Sequence, residues 1–188
     1  MTTAWPGPSP ATLADLDALP DDVIGEIIDG VLYTRNRPSF AHQHAATAIA
    51  SAVFPRFTAG GDGPGGWWIV SDTQLAQPGS PHYVPDVVGW RRERMPAPPV
   101  APVTLVPDWI CEVLSPTTRH FDYLVKMPHY ARIGVVHVWL VDVDERTVYA
   151  HRLDAGEWRV VGTYRDEIEA RIEPFEAVAL NVARSWAS

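Results

Sequence analysis

Two carboxylates stand where an ionised side chain is unfavourable. Glu112 interrupts Trp109-Ile110-Cys111-Glu112-Val113-Leu114, a run otherwise suited to a buried strand, and a charge there needs a partner or a metal ion. Asp86 follows Pro85 at the head of a second apolar run, Asp86-Val87-Val88-Gly89-Trp90. If these runs pair as neighbours, the two acids meet at one end of a sheet and repel unless a divalent cation lies between them. The plainer alternative makes Asp86 a turn cap and Glu112 the partner of an arginine.

A cation draws the eye for a different reason. Of the fifteen Lys and Arg residues, fourteen are Arg and only Lys126 is Lys. Exposed cations are interchangeable at little cost, so a lone lysine in such a chain suggests a role for a compact ammonium that can approach a water or a phosphate closely. Asp122 and Tyr130 lie four residues before and after it, on one helical face. The ordinary reading of that spacing is an exposed Asp–Lys pair. Pro128, inside the same stretch, removes a helical hydrogen bond and predicts a kink.

Other chemistries are poorly supported. The single cysteine, Cys111, excludes an intrachain disulfide and a thiol-rich zinc site. Of seven histidines only His42 and His44 are close, and residues i and i+2 of a helix do not face together. The net charge of −8 speaks against a dedicated nucleic-acid coat protein. Its distribution is uneven, however. Residues 1–30 carry six acids and no Lys or Arg, residues 31–135 sum to +2 and residues 136–188 to −4. An acidic shell around a basic centre is compatible with a polyanionic substrate. Arg91, Arg92 and Arg94, just beyond the Asp86 run, are candidates to hold a nucleic-acid backbone, or else belong to a solvated loop.

These residues need elements to position them. The 188-residue, 46% hydrophobic chain suits one domain with its own core. A short helix is expected after Ser9-Pro10, ending at Pro20, then a β-hairpin, Glu26 to Tyr33, about Asp29-Gly30. Pro38-Ser39 opens a helix through Phe57 whose apolar stripe is Ala46, Ile49, Val53 and Phe57, with His42 at its N-terminal end. Strands are expected at Trp67–Val70, Thr73–Ala76, Val84–Trp90 and Asp108–Leu114. The glycine-rich stretch 60–66 and the Arg- and Pro-rich stretch 91–102 read as loops. A helix from Arg119 to Ile133 closed by Gly134, a hairpin of Val136–Val143 with Thr147–Leu153, and a strand Trp158–Tyr164 complete an α/β (α+β) domain with a mixed sheet. The first twenty residues show no basic leader with an apolar core, and no apolar run approaches a membrane span. A soluble, cytoplasmic protein is expected, without membrane contact.

Taken in order, Val84-Pro85-Asp86, then Cys111-Glu112-Val113-Leu114-Ser115-Pro116-Thr117-Thr118, then Asp122, Lys126, Tyr130-Ala131-Arg132 and Gly134-Val135, then Trp139-Leu140-Val141-Asp142, resemble the Uma-two family of the PD-(D/E)XK nuclease superfamily. The hairpin Glu26-Ile27-Ile28-Asp29-Gly30 and the stretches 60–68 and 87–96 resemble it too, so the likeness covers about residues 22–180. Residues 1–21 then form an acidic, helical N-terminal segment and 181–188 a tail.

The resemblance implies a restriction-endonuclease-like core, a mixed β-sheet flanked by helices, and metal-dependent endonuclease chemistry on nucleic acid, with DNA the favoured substrate. Asp86, Glu112 and the backbone carbonyl of Val113 would hold Mg²⁺ or Mn²⁺. Lys126 would supply the lysine of the motif, moved from the place of Leu114 to the following helix. Glu26 would be an auxiliary acid, and His42, Asp122 and Tyr130 would edge the site. Three positions depart from the family pattern: Gly25 replaces an aromatic before Glu26, Gln74 a glutamate, and Val143 a proline. The alternative is a nuclease-fold module that binds nucleic acid or a partner protein without effective catalysis. Trp5 and Trp186 are expected to be exposed at an interface, and a homodimer is expected by analogy with nucleases that cut both strands.

Overall fold

The computed structural model describes residues 2–5, 9–100 and 102–186. Its elements run β1 (Thr3–Trp5), α1 (Leu13–Asp17), β2 (Val23–Ile28), β3 (Val31–Asn36), α2 (Phe40–Phe57), β4 (Trp67–Ser71), β5 (Leu75–Gln77), β6 (Ser80–Tyr83), β7 (Val87–Arg91) and β8 (Trp109–Leu114). The second half holds α3 (Arg119–Phe121), a π-helical turn (Asp122–Lys126), α4 (Met127–Ile133), β9 (His137–Asp142), β10 (Thr147–Asp154), β11 (Glu157–Tyr164) and a 3₁₀ turn (Val182–Ser185).

β8 is buried along its whole length because side chains leave it alternately into two cores. Trp109, Cys111 and Val113 face a core built with α2 and the C-terminal segment. Ile110 and Leu114 face a second core that holds Phe121, Met127 and Tyr130 from the α3–α4 segment, with Ile28, Leu75 and Tyr83 from the hairpin side. Glu112 shares this second face by alternation. Strands order β11-β10-β9-β8-β7-β4 in a six-stranded sheet, antiparallel throughout except for the parallel pair β8–β9. Parallel neighbours need a crossover, and the helical segment 119–133 supplies it. That crossover carries Lys126 over the sheet to Glu112. A smaller sheet, β1-β3-β2-β6-β5, brings Glu26 up from the other side.

The helix expected at 119–133 is present but widened in the middle. The Met127 N–H reaches back five residues to the Asp122 carbonyl, and Pro128, which has no N–H to give, follows at the start of α4. The wide turn thus absorbs the proline, and Gly134 closes the segment in the left-handed conformation at φ 86°. Two strands were not expected. β6 contains Pro81 and was hidden by it, while β1 is only three residues long. β1 pairs with β3, so residues 3–5 join the small sheet.

Trp186 corrects an expectation, since it is buried in the first core with its indole N–H donated to the Arg165 carbonyl at 2.8 Å. It is held there because the C-terminal segment folds back over the sheet. The expected exposure of Trp5 concerns a side chain outside the described ones. The β4 edge is shielded from further pairing: the Ile69 N–H donates to Thr58 Oγ1 at 3.0 Å and Arg92 Nε donates to the Trp67 carbonyl at 3.2 Å. Among the described residues no helix is long and apolar enough to cross a membrane.

Candidate active site

The sheet register delivers the two acids to each other. Val87 lies opposite Cys111 and Val88 opposite Ile110, so one step further sets Asp86 opposite Glu112. β7 ends there, which frees the Val113 N–H to donate to Asp86 Oδ2 at 2.7 Å. His42 comes from the first turn of α2, whose N-cap Ser39 accepts the His42 N–H, and its Nε2 lies 3.3 Å from the same Asp86 oxygen. In an extended strand a residue's N–H and C=O point the same way, so the Val113 carbonyl also faces the Asp86 side.

Glu112, 2% exposed, is gripped through its other neighbours. Lys126 Nζ lies 3.0 Å from Oε1, and the Tyr130 hydroxyl, one helical turn later, donates to that same oxygen. Lys126 Nζ is also 3.4 Å from Glu26 Oε2. That oxygen further accepts the Val84 N–H at 3.3 Å, while Arg35 Nε donates to Glu26 Oε1 at 3.3 Å. Both oxygens of Glu26 are therefore engaged. Among the described residues, no donor reaches Asp86 Oδ1 or Glu112 Oε2. Each acid is pinned by one oxygen and left with the other.

Electrostatics divide the acids. Burial pushes the Glu112 carboxyl up to about 7, opposed by Lys126 and reinforced by the charges of Asp86 and Glu26. Burial likewise pushes Asp122 well above the usual carboxylate range. Asp122 is 4% exposed, and its Oδ2 is buried with no partner. For Asp86 burial acts upward too, but the His42 bond, the Lys126 charge and the Val113 N–H outweigh it and hold the group below its ordinary value. For Lys126 burial acts downward, and the carboxylates of Glu112, Glu26 and Asp122 overcome it, so its pKa is raised.

Asp86, Glu112, Val113, Asp122, Lys126, His42 and Arg35, with Thr118 and Phe121, line a cavity of about 10 Å³, room for about one water or one ion. Fully ionised, Glu26, Asp86, Glu112 and Asp122 carry four negative charges against two positive ones on Lys126 and Arg35. A divalent cation would balance the remainder, and hard oxygen donors suit Mg²⁺ or Mn²⁺. The donor set is small, since among the described residues no group of three or more His, Cys, Asp or Glu is arranged to hold a metal ion.

The three arginines beyond Asp86 lie elsewhere. β7 carries the chain about 17 Å, at about 3.3 Å per residue, from Asp86 to Arg91. Arg91 stacks on Trp67 at 4.7 Å and Arg92 on Trp68 at 4.0 Å; Arg94 pairs with Asp108 at 2.7 Å. The structure does not bring them to the cavity, and Gln74 does not line it either. Gly25 is explained locally, because a Cβ there would meet Leu16 and Leu19 at 2.5 Å. Those leucines, around α1, occupy the space beside the Glu26 strand.

Sequence reasoning passed over Arg35. A signal existed: Glu26 pairs with Tyr33, which makes Arg35 its diagonal neighbour on the same face of the hairpin.

The sequence profile of a family described as "Putative restriction endonuclease" matches residues 12–183. No curated protein matches the chain. Among solved structures, a protein described as a putative nuclease belonging to DUF820 from Anabaena variabilis ATCC 29413 superposes with a TM-score of 0.66. Its identity is 24%, over 94% of this chain and 97% of that one. The likeness fixes the fold as a restriction-endonuclease-like α+β core, with its sheets flanked by helices.

Proposed function

The chain belongs to the Uma2 family of restriction-endonuclease-like proteins, and from that footing we propose that it is a divalent-metal-dependent endonuclease that hydrolyses phosphodiester bonds of nucleic acid, DNA in the first instance. One observation carries the reading. Asp86 and Glu112 face each other across β7 and β8, each pinned through one oxygen, beside a cavity of ion size whose lining carboxylates, Asp86, Glu112 and Asp122, when ionised outnumber the cations Lys126 and Arg35.

Asp86, Glu112 and the Val113 carbonyl are the groups that would hold Mg²⁺ or Mn²⁺. Such an ion, when bound, acidifies a coordinated water and screens charge on the phosphate. The protein's own residues do the rest. His42 and the Val113 N–H fix the rotation of Asp86, and Tyr130 and Lys126 fix that of Glu112. Pinned ligands lose less freedom on binding, and their outer partners matter nearly as much as the ligands themselves. Lys126 places a positive charge beside Glu112, where it offsets negative charge that builds on the phosphate oxygens during displacement.

The test is cleavage of a mixed panel of DNA and RNA substrates with Mg²⁺, Mn²⁺ or EDTA, run beside Asp86→Asn and Lys126→Ala, with Mn²⁺ binding titrated calorimetrically. Metal-dependent cutting abolished by both substitutions, with Mn²⁺ affinity lost in Asp86→Asn, is the expected result. An intact protein that cuts nothing, and whose Mn²⁺ affinity Asp86→Asn leaves unchanged, refutes the reading.

A further inference from the structure

We propose that Arg35 is the phosphate-gripping residue of this site, its guanidinium holding a non-bridging oxygen pair of the nucleic-acid backbone beside Asp86 and Glu112. The proposal rests on the nuclease reading.

Arg35 projects from β3, with its side chain 14% exposed. A guanidinium offers five N–H donors in a planar fork. Here Nε donates to Glu26 Oε1, and among the described residues neither terminal nitrogen donates to any protein acceptor. Arg35 lines the cavity that Asp86, Glu112 and Lys126 share. An arginine present only to neutralise Glu26 would engage it through two nitrogens at the short distances typical of charge-assisted bonds, about 2.7–2.9 Å. Arg94 makes such a short contact with Asp108. Arg35 instead touches Glu26 through Nε alone at 3.3 Å.

Glu26 in turn is immobilised. The Val84 N–H and Lys126 occupy its second oxygen, so the carboxylate is a fixed strut that aims the arginine. Lys126 has its ammonium between Glu112 and Glu26 and is the poorer candidate for gripping the backbone. Planar, bidentate recognition of a phosphate is what a guanidinium does and an ammonium does not. Among the described residues Arg35 thus spends one of its five donors on protein and Lys126 two of its three, so Arg35 has the larger surplus, arranged in a fork, and the ligand class that matches it is a phosphodiester.

Binding is read without turnover in an Asp86→Asn background, as the anisotropy of a fluorescent mixed-sequence oligonucleotide, with the Arg35 Nε–H signal followed by NMR on addition of inorganic phosphate. Adding Arg35→Gln is expected to weaken oligonucleotide binding about tenfold, and Arg35→Lys to recover part of it. In the otherwise native protein Arg35→Gln is expected to lower kcat/KM about 100-fold, with Mn²⁺ binding retained or tightened, since a positive charge beside the acids is removed. Oligonucleotide binding within twofold of the parent would make Arg35 a structural partner of Glu26 only and overturn the proposal.

If Arg35→Gln does not fold, Arg35→Lys decides, since it keeps the charge toward Glu26 but loses the fork; undiminished binding there overturns the proposal equally. A protein that cuts no substrate yet loses oligonucleotide affinity in these variants keeps the phosphate grip and forfeits the nuclease. A parent that binds no oligonucleotide loses both.

Discussion

Replacing Lys126 by methionine, which keeps the length and removes the charge, tests the centre of the site. Its Nζ lies 3.0 Å from Glu112 and 3.4 Å from Glu26, and Lys126 is 2% exposed. At an effective dielectric of about 20 each contact is worth roughly 5 kcal/mol of gross attraction, largely offset by the desolvation of the ammonium. Removing one member of a buried ion pair leaves the others uncompensated and costs about 3–5 kcal/mol. The cost depends on pH in a defined direction. Burial already pushes Glu112 up to about 7 while Lys126 opposes it, so its loss raises that pKa further. A carboxyl raised above its unfolded value of about 4.3 contributes its full stability below that value and loses it as pH rises toward the folded pKa. In the native protein that loss ends near pH 7, whereas in the variant it continues at about 1.4 kcal/mol per pH unit. The deficit of Lys126→Met is therefore about 1 kcal/mol larger at pH 8 than at pH 6. Urea unfolding in EDTA, followed by tryptophan fluorescence at both pH values, measures it. A deficit below 1 kcal/mol at pH 8, or one that grows toward acid, would refute the placement of the ammonium between the two carboxylates.

Three further outcomes are expected. Tyr130→Phe removes one of the two donors to Glu112 Oε1 and should cost about 1–2 kcal/mol in urea unfolding; cleavage should fall while the far-ultraviolet circular dichroism spectrum stays native. His129 is 1% exposed and burial lowers its pKa to about 4, with Asp29 opposing. Its stabilising contribution is complete above pH 6.5 and is lost as pH falls toward 4, about 2 kcal/mol after allowance for solvent screening; His129→Gln should flatten the acid limb of a stability–pH curve. Phe175, from the C-terminal segment, packs against Phe57, Trp67, Trp109 and Trp139 with ring centroids 4.7–5.6 Å apart. Phe175→Ala should destabilise by about 3–5 kcal/mol, and a loss under 1 kcal/mol would mean that this segment does not close the core.

The acids were legible in the sequence because burial and charge conflict. A glutamate in Trp109–Leu114 and an aspartate heading Val87–Trp90 are locally unfavourable, and such conflicts are expected at functional or strained positions. Strand alternation then predicts which face they share, and the structure places them opposite each other. The π-helical turn was not legible, since Pro128 announces a lost hydrogen bond but not how neighbouring carbonyls rearrange to absorb it. Nor was the position of Arg91, Arg92 and Arg94, because nearness in sequence to Asp86 becomes distance along an extended strand. Trp186 was misread for a related reason: whether a terminal tryptophan is buried depends on long-range packing that no local pattern encodes.

The two cations of the cavity were unequal in legibility because composition speaks only about rarity. Lys126 stood out as the single lysine among fifteen basic residues, and Arg35 was one arginine of fourteen. The geometry gives rarity a physical meaning. Glu112 Oε1 accepts the Tyr130 hydroxyl as well as Lys126, and Glu26 Oε2 accepts the Val84 N–H as well as Lys126, so the cation between them must be small and non-planar. A guanidinium of fixed fork geometry would have to displace one of those donors. At residue 35 the demand is reversed, with one nitrogen spent on Glu26 and the residue itself lining the cavity. Exchanging the two types, as Lys126→Arg with Arg35→Lys, conserves net charge and should nevertheless abolish cleavage; a double variant that cuts as well as the native protein would mean that charge alone, and not shape, selects these residues.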